Sequence, residues 1–176
     1  MAFAISPPLA GVDFTKSYRD GHPQFTLGTE ILASDGVTYK FVRFTANKSA
    51  YSPYIIGYDF TLGSVVSTSS ISVAPLAAGV PQTDLAGPDS GVTYSYGWVA
   101  VKGPFQAWTA NSTAGGIGVD TELYVSSFAS GAFHSLVSGL KQFEAVKVAV
   151  AGTGTNLSSS LATVYATDYL RVQTDA

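Results

Sequence analysis

Hydrophobic and polar residues alternate along this chain in short runs, a spacing typical of β-strands. The clearest run follows an Asp35-Gly36 turn signal and extends over Val37–Thr45. One face carries Val37, Tyr39, Phe41 and Arg43, and the other carries Thr38, Lys40, Val42 and Phe44. Both faces hold aromatic or β-branched residues, so the pattern predicts a strand joined by a hairpin to the preceding Thr29–Leu32.

Further strands are predicted along the rest of the chain, separated by turn signals. They cover residues 51–60, 64–73, 94–101, 105–108, 121–125, 144–151 and 162–172. Lys102-Gly103-Pro104 predicts a turn that makes 94–108 a second hairpin, and residues 136–143 are the one candidate for a short helix. Short strands at this spacing indicate an all-β fold, an antiparallel β-sandwich or β-barrel.

Two segments lack this alternation. Residues 1–27 contain scattered apolar side chains between prolines and glycines, which predicts an extended N-terminal arm preceding a β-rich domain at 28–176. We expect the arm to pack on its own domain or on a neighbour, and its removal to leave a folded domain with weakened attachment. The composition of residues 74–91 predicts a long loop. If the domain has two lobes, this loop is the boundary between them.

Composition narrows the function. Only 12% of the 176 residues are charged and 46% are hydrophobic, which excludes intrinsic disorder and argues against a coiled coil. A net charge of −3 argues against nucleic-acid binding, and no apolar run is long enough for a membrane helix. The absence of cysteine excludes disulfides and thiolate chemistry. A neutral surface of this kind suits a protein that functions within an assembly.

Candidate catalytic and metal-binding residues are few. His22 and His134 show no metal-ligand spacing, and no serine lies in a nucleophile elbow. Asp120 and Glu122 share a face if they lie in a strand, and Asp84 with Asp89 offers a weak calcium pattern. We therefore expect no enzyme, no cofactor and no metal site.

The aromatic residues, ten Tyr, ten Phe and two Trp, are expected mainly in the core. A sugar-binding face is the alternative, in which Tyr96, Trp98 or Trp108 stacks on a pyranose ring. The tyrosines near Pro53 equally suit a protein interface, where tyrosine is enriched.

Two stretches carry a resemblance to a known class of proteins. Gly28-Thr29-Glu30 with Asp35–Tyr39, and Tyr96–Gly103, resemble small capsid decoration (cement) proteins of tailed bacteriophages. The resemblance implies a non-enzymatic virion structural protein, often a homotrimer, on the exterior of the capsid. It implies no catalytic or ligand-binding positions.

The expected function is therefore binding to the outer capsid surface and stabilisation of the shell. The expected partner is the major capsid protein. The chain is also expected to form a homo-oligomer, with a trimer favoured. The alternative is a carbohydrate-binding β-sandwich module of a tail or head fibre. A connector component of the head or tail and a hydrolase that uses His134 are two further hypotheses. The candidate interface residues are Phe3, Ile5, Leu9, Phe14, Tyr51, Tyr54 and Leu85.

Overall fold

A computed structural model describes residues 12–66, 76–110, 122–125, 132–134, 142–150 and 160–172, and all ten regular elements within these ranges are strands. The strands are β1 (Glu30–Leu32), β2 (Thr38–Phe44), β3 (Tyr54–Ile56), β4 (Leu62–Val65), β5 (Leu76–Gly79), β6 (Ser95–Ala110), β7 (Glu122–Val125), β8 (Phe133–His134), β9 (Gln142–Val150) and β10 (Ser160–Val172). The predicted all-β class is confirmed. None of the described residues forms a helix long and apolar enough to cross a membrane.

The strands join into one sheet in the order β1-β2-β6-β8-β7-β9-β10-β5-β3-β4, with a further pairing between β6 and β10. Every pairing is antiparallel except that of β6 with β8. The arrangement is consistent with a β-sandwich-like fold. The predicted strand at 64–73 corresponds to β4 only at its start, since 67–73 lie outside the described residues. Residues 136–141 of the candidate helix also lie outside them, and 142–143 begin β9.

The predicted first hairpin is present as β1 and β2. Leu32 pairs with Thr38 and Glu30 pairs with Lys40, across a turn in which Gly36 has a φ of 83°. Asp35 caps the turn because its carboxylate accepts a hydrogen bond from the amide of Val37 at 2.9 Å.

The predicted second hairpin is wrong. β6 continues through Lys102-Gly103-Pro104 as one strand of 16 residues. Its first half, to Lys102, pairs with β2, and its second half, from Gly103, pairs with β10. Gly103 has a φ of 93°, and the register with β2 shifts beside it. The irregularity falls at Val101, which is skipped in the register with β2 between Ala100 and Lys102, and at Gly103 the strand changes partner without turning back.

The predicted loop at 74–91 contains a strand, β5, which lies between β10 and β3 in the sheet. Two neighbouring bridges, Val80 with Ala100 and Leu85 with Lys48, attach the segment further to the domain. Gly79 permits this packing, because a Cβ there would lie 2.6 Å from Val99 Cγ2. The segment is part of the sheet rather than a linker between described strands.

Two hydrophobic clusters lie on opposite faces of β2 and β6. The first contains Tyr39, Phe41, Trp98 and Phe105, together with other buried residues. The second is formed by Val42, Phe44, Tyr54, Ile56, Leu62, Leu85, Val99 and Val101. This double burial explains why both faces of the sequence 37–44 carry large apolar side chains.

Residues 12–27 of the expected arm pack on the chain's own domain. Tyr18 exchanges two backbone hydrogen bonds with Tyr96, at 2.8 and 2.9 Å. Phe14 and Phe25 both contact Trp98, with ring centroids 5.4 and 5.1 Å apart. These contacts make 12–27 part of the fold, whereas 1–11 lie outside the described residues.

Candidate functional site

The four predicted interface residues that the structure describes, Phe14, Tyr51, Tyr54 and Leu85, do not form one exposed surface. Phe3, Ile5 and Leu9 lie outside the described residues. Phe14 stacks on Tyr39, and Tyr51 is half-buried with its ring edge-on to Trp108 at 6.2 Å. Tyr54 and Leu85 are only 6% and 1% exposed and belong to the second cluster. Tyr54 and Leu85 thus contribute to the core of this chain and offer no side chain to a partner.

The aromatic residues considered for sugar binding are mostly enclosed. Trp98 is fully buried and Tyr96 is 8% exposed, because both face the first cluster. Trp108 alone of the three is half-buried. A stacking platform needs a free aromatic face, so Trp98 and Tyr96 cannot supply one in the folded protein.

The remaining candidate residues are separated or already engaged. His22 lies in an exposed turn, where its amide donates to Asp20, and His134 lies in β8. Asp84 accepts a hydrogen bond from the amide of Ala50 at 2.8 Å, and Asp89 pairs with Arg19 at 2.8 Å. Asp120 lies outside the described residues. Within the described ranges, no group of three His, Cys, Asp or Glu residues is placed to hold a metal ion.

A groove that sequence reasoning missed lies at one end of the second cluster. It consists of two adjoining cavities of about 390 and 220 Å³ that share Lys40, Ala77 and Arg171. The larger cavity is also lined by Ile56, Gly57, Tyr58 and Phe60. The smaller is also lined by Glu30, Ala78, Val101, Tyr169 and Leu170. Segments far apart along the chain therefore build this groove.

Tyr169 organises the charges at the β10 side of the groove. Its hydroxyl donates to Glu30 Oε2 at 2.6 Å, and Lys40 Nζ lies 2.9 Å from Glu30 Oε1. The ammonium groups of Lys40 and Lys102 each lie 5.5 Å from the Tyr169 ring centroid, within the range of cation–π attraction.

The pKa values of Glu30 and Tyr169 follow from this arrangement. Burial alone would raise the pKa of Glu30, but the hydrogen bonds from Tyr169 and Lys40 outweigh it and lower that pKa. The hydrogen bond to Glu30 and partial burial raise the pKa of Tyr169. Glu30 therefore stays ionised and Tyr169 stays protonated near neutral pH, which preserves the arrangement.

The β3–β4 hairpin tip forms the opposite wall of the groove. Asp59 accepts hydrogen bonds from the Thr61 amide and hydroxyl and pairs with the Arg43 guanidinium. Hydrogen bonding to Arg43 lowers the pKa of Asp59 to about 2. These contacts hold the tip while Tyr58 remains 96% exposed at the mouth of the groove.

Phe60, in the same tip, has a φ of 59°, a conformation that large residues rarely adopt. Its ring lies against Gly28, where a Cβ would be 2.5 Å from Cζ of the ring. Strained residues of this kind persist where the surroundings fix them, and they concentrate at functional positions. The glycine and the strained backbone together place the Phe60 ring in the groove wall.

The exposed apolar side chains lie on the same side of the sheet as the groove. Within the described ranges, the large exposed hydrophobic residues are Leu32, Tyr58 and Tyr165, which are 62%, 96% and 44% exposed. Leu32 pairs with Thr38, and Tyr165 alternates with Val164 and Ala166 of the first cluster, so both point away from that cluster. We call Leu32, Tyr58, Tyr165 and the groove the open face.

Comparisons with protein families, with curated proteins and with solved structures found no match to this chain. The class that the structure defines is an all-β, sandwich-like domain with a groove and exposed aromatic residues on its open face.

Proposed function

We propose that this protein is a non-enzymatic structural protein of a bacteriophage virion, which binds the outer surface of the capsid and stabilises the shell. The observation that carries the proposal is the open face, on which Tyr58 is exposed at the mouth of the groove and Leu32 and Tyr165 point away from the first cluster. Interfaces between proteins are enriched in tyrosine, and exposed apolar patches mark such sites.

The contacts that hold the β3–β4 hairpin tip support the same function. Tyr58 lies on a hairpin tip that Asp59 attaches to Arg43 and Thr61. A tip whose backbone is already held loses little conformational entropy when it docks on a partner, so its exposed side chain contributes more to affinity than one on a mobile loop. Repeated binding of many copies around a shell adds to each single contact.

The net charge of −3 agrees with a position outside the capsid, because an acidic protein would be repelled by packaged DNA. The proposed partners are the major capsid protein and further copies of this chain, with a trimer as the proposed oligomer. The carbohydrate-binding alternative is weaker, since Trp98 and Tyr96 are enclosed in the core.

The test is the abundance of this chain in purified virions of the phage that encodes it. Mass spectrometry should find it in fixed stoichiometry with the major coat protein, and mild urea should release it from the outside of intact particles. The variant Leu32→Ser/Tyr58→Ser should rebind stripped particles at least about fivefold more weakly, whereas the exposed Lys16→Ser control should rebind normally. Absence from particles, or copies present only inside the shell, would refute the proposal.

A further inference from the structure

The groove of the open face combines cationic and apolar groups in a way that points to a specific ligand class. Lys40 and Arg171 lie where the two cavities meet, with aliphatic Ile56 and Val101 to either side. Lys102 lies over the Tyr169 ring at the β10 side. Three of the nine Lys and Arg residues of a net acidic chain are thus gathered in one place.

Among the side chains that the structure describes, one of these three cations, Lys40, forms an ion pair with a carboxylate. Glu30 pairs with Lys40 at 2.9 Å, and the exposed Asp168 adjoins Tyr169. Glu144 lies opposite Arg171 in the register of β9 and β10, whereas Lys102 lies opposite the neutral Thr38. Among the residues whose side chains the structure describes, no carboxylate lies within ion-pair distance of Lys102.

The groove is also poor in the groups that recognise neutral sugars. Its lining holds cations, one carboxylate, tyrosines and aliphatic side chains, and no Asn, Gln, Ser or Thr among the described lining residues. Saccharide hydroxyls need many paired donors and acceptors, because a polar group buried without a partner loses binding energy. An acidic peptide matches this lining through its carboxylate and its apolar side chains, while its backbone groups keep water as partner at the open side of the groove.

We propose that this groove binds an extended acidic peptide segment, with a Glu or Asp carboxylate attracted to Arg171 and Lys102 and flanking apolar side chains against Tyr58 and Tyr169. Charge-assisted hydrogen bonds to the carboxylate give the orientation, and the aromatic side chains at both ends give apolar contact. This inference rests on the proposed function only for the source of the peptide: if the protein binds the capsid, the natural segment belongs to the shell protein.

The test uses the full-length, isotope-labelled protein and two blocked peptides, acetyl-Ala-Leu-Glu-Glu-Leu-Ala-amide and its counterpart with both Glu replaced by Gln. Amide NMR titration should give saturable shifts around residues 40, 58, 102 and 171 with the Glu peptide. The Gln peptide should bind at least about fivefold more weakly, and added salt should reduce the difference.

Two charge-removing variants and a matched control locate the binding. Lys102→Gln and Arg171→Gln should each weaken the Glu peptide about threefold or more, because each removes an attractive charge. The matched control is Lys16→Gln. Lys16 also lies over a tyrosine ring, with its ammonium 5.2 Å from the centroid of Tyr18. Tyr18 packs against the first cluster, so this lysine is not part of the groove. This control should bind the peptide as the unmodified protein does.

Three results would overturn the inference: equal binding of the two peptides, no saturable shift below about 5 mM peptide, or shifts confined to another surface. Polygalacturonate is titrated in parallel, and binding of that acidic saccharide in place of the peptide would replace the proposed ligand class. Because these titrations need no virions, peptide binding by a chain absent from particles would refute the proposed function and leave the groove assignment intact.

Discussion

The carbonyl oxygen of Gly36 lies so close to Gly103 that a Cβ on Gly103 would meet it at 2.3 Å. Gly36 is in the turn of the β1–β2 hairpin, and Gly103 is where β6 changes partner from β2 to β10. The contact therefore joins the β1–β2 turn to the middle of the long strand β6.

Gly103→Ala should destabilise the protein by about 2–4 kcal/mol, because alanine would adopt a positive φ and also collide with backbone. Urea unfolding monitored by circular dichroism measures the difference. Gly91→Ala is the matched control, since Gly91 has a φ of 81° but nothing within 4 Å of its Cβ position. The free energy of unfolding of this control should fall by only about 1 kcal/mol. Equal losses for the two variants would show that the close approach at Gly103 has no energetic effect.

Phe14→Ala should destabilise the fold by about 2 kcal/mol, since the half-buried ring stacks on Tyr39 at 4.4 Å and contacts Trp98. Tyr58→Ala, at a side chain that is 96% exposed, should leave the free energy of unfolding unchanged.

Deletion of residues 1–27 should lower the melting temperature by several degrees, because Phe25 is lost as well as Phe14. If the shortened protein melts at the same temperature as the full chain, residues 12–27 do not contribute to the stability of the fold.

Asp59 should titrate with a pKa of about 2, measured by NMR of its side-chain carboxyl carbon. Because this pKa is lower in the folded than in the unfolded state, its stabilising contribution is complete above the ordinary value of 3.8 and is lost as the pH falls towards 2. Arg43→Gln should raise the pKa of Asp59 towards the ordinary value. The pKa of Asp13, which hydrogen bonds from Thr15 lower, serves as internal control and should not move. An unchanged pKa of Asp59 in the variant would contradict the assigned cause.

The two tryptophans should differ in solvent access. In Trp108→Phe the remaining Trp98 is fully buried, so its fluorescence should be blue-shifted and resist acrylamide quenching. In Trp98→Phe the remaining half-buried Trp108 should be quenched more readily. Ready quenching of Trp98 would reopen the sugar-stacking alternative.

The groove could not be predicted from the sequence, because the residues that line it are far apart along the chain. Lys40 was expected on a strand face with Val42 and Phe44, and the structure confirms that face. Nothing in the pattern brings Tyr169 and Arg171, near the C-terminus, beside Lys40. The sole local signal was the spacing of Tyr169 and Arg171 at alternate positions, which fits any two-faced strand.

The sequence alone determined the all-β class, the first hairpin and the two apolar faces of β2, because alternation and turn residues act between neighbours in the chain. Tertiary structure alone decided that the chain continues through Gly103 as one long strand, because pairing with β10 keeps the segment extended where the sequence also permits a turn. It also decided that Leu85 is buried while Tyr58 is exposed, because burial depends on which distant strands cover each apolar residue.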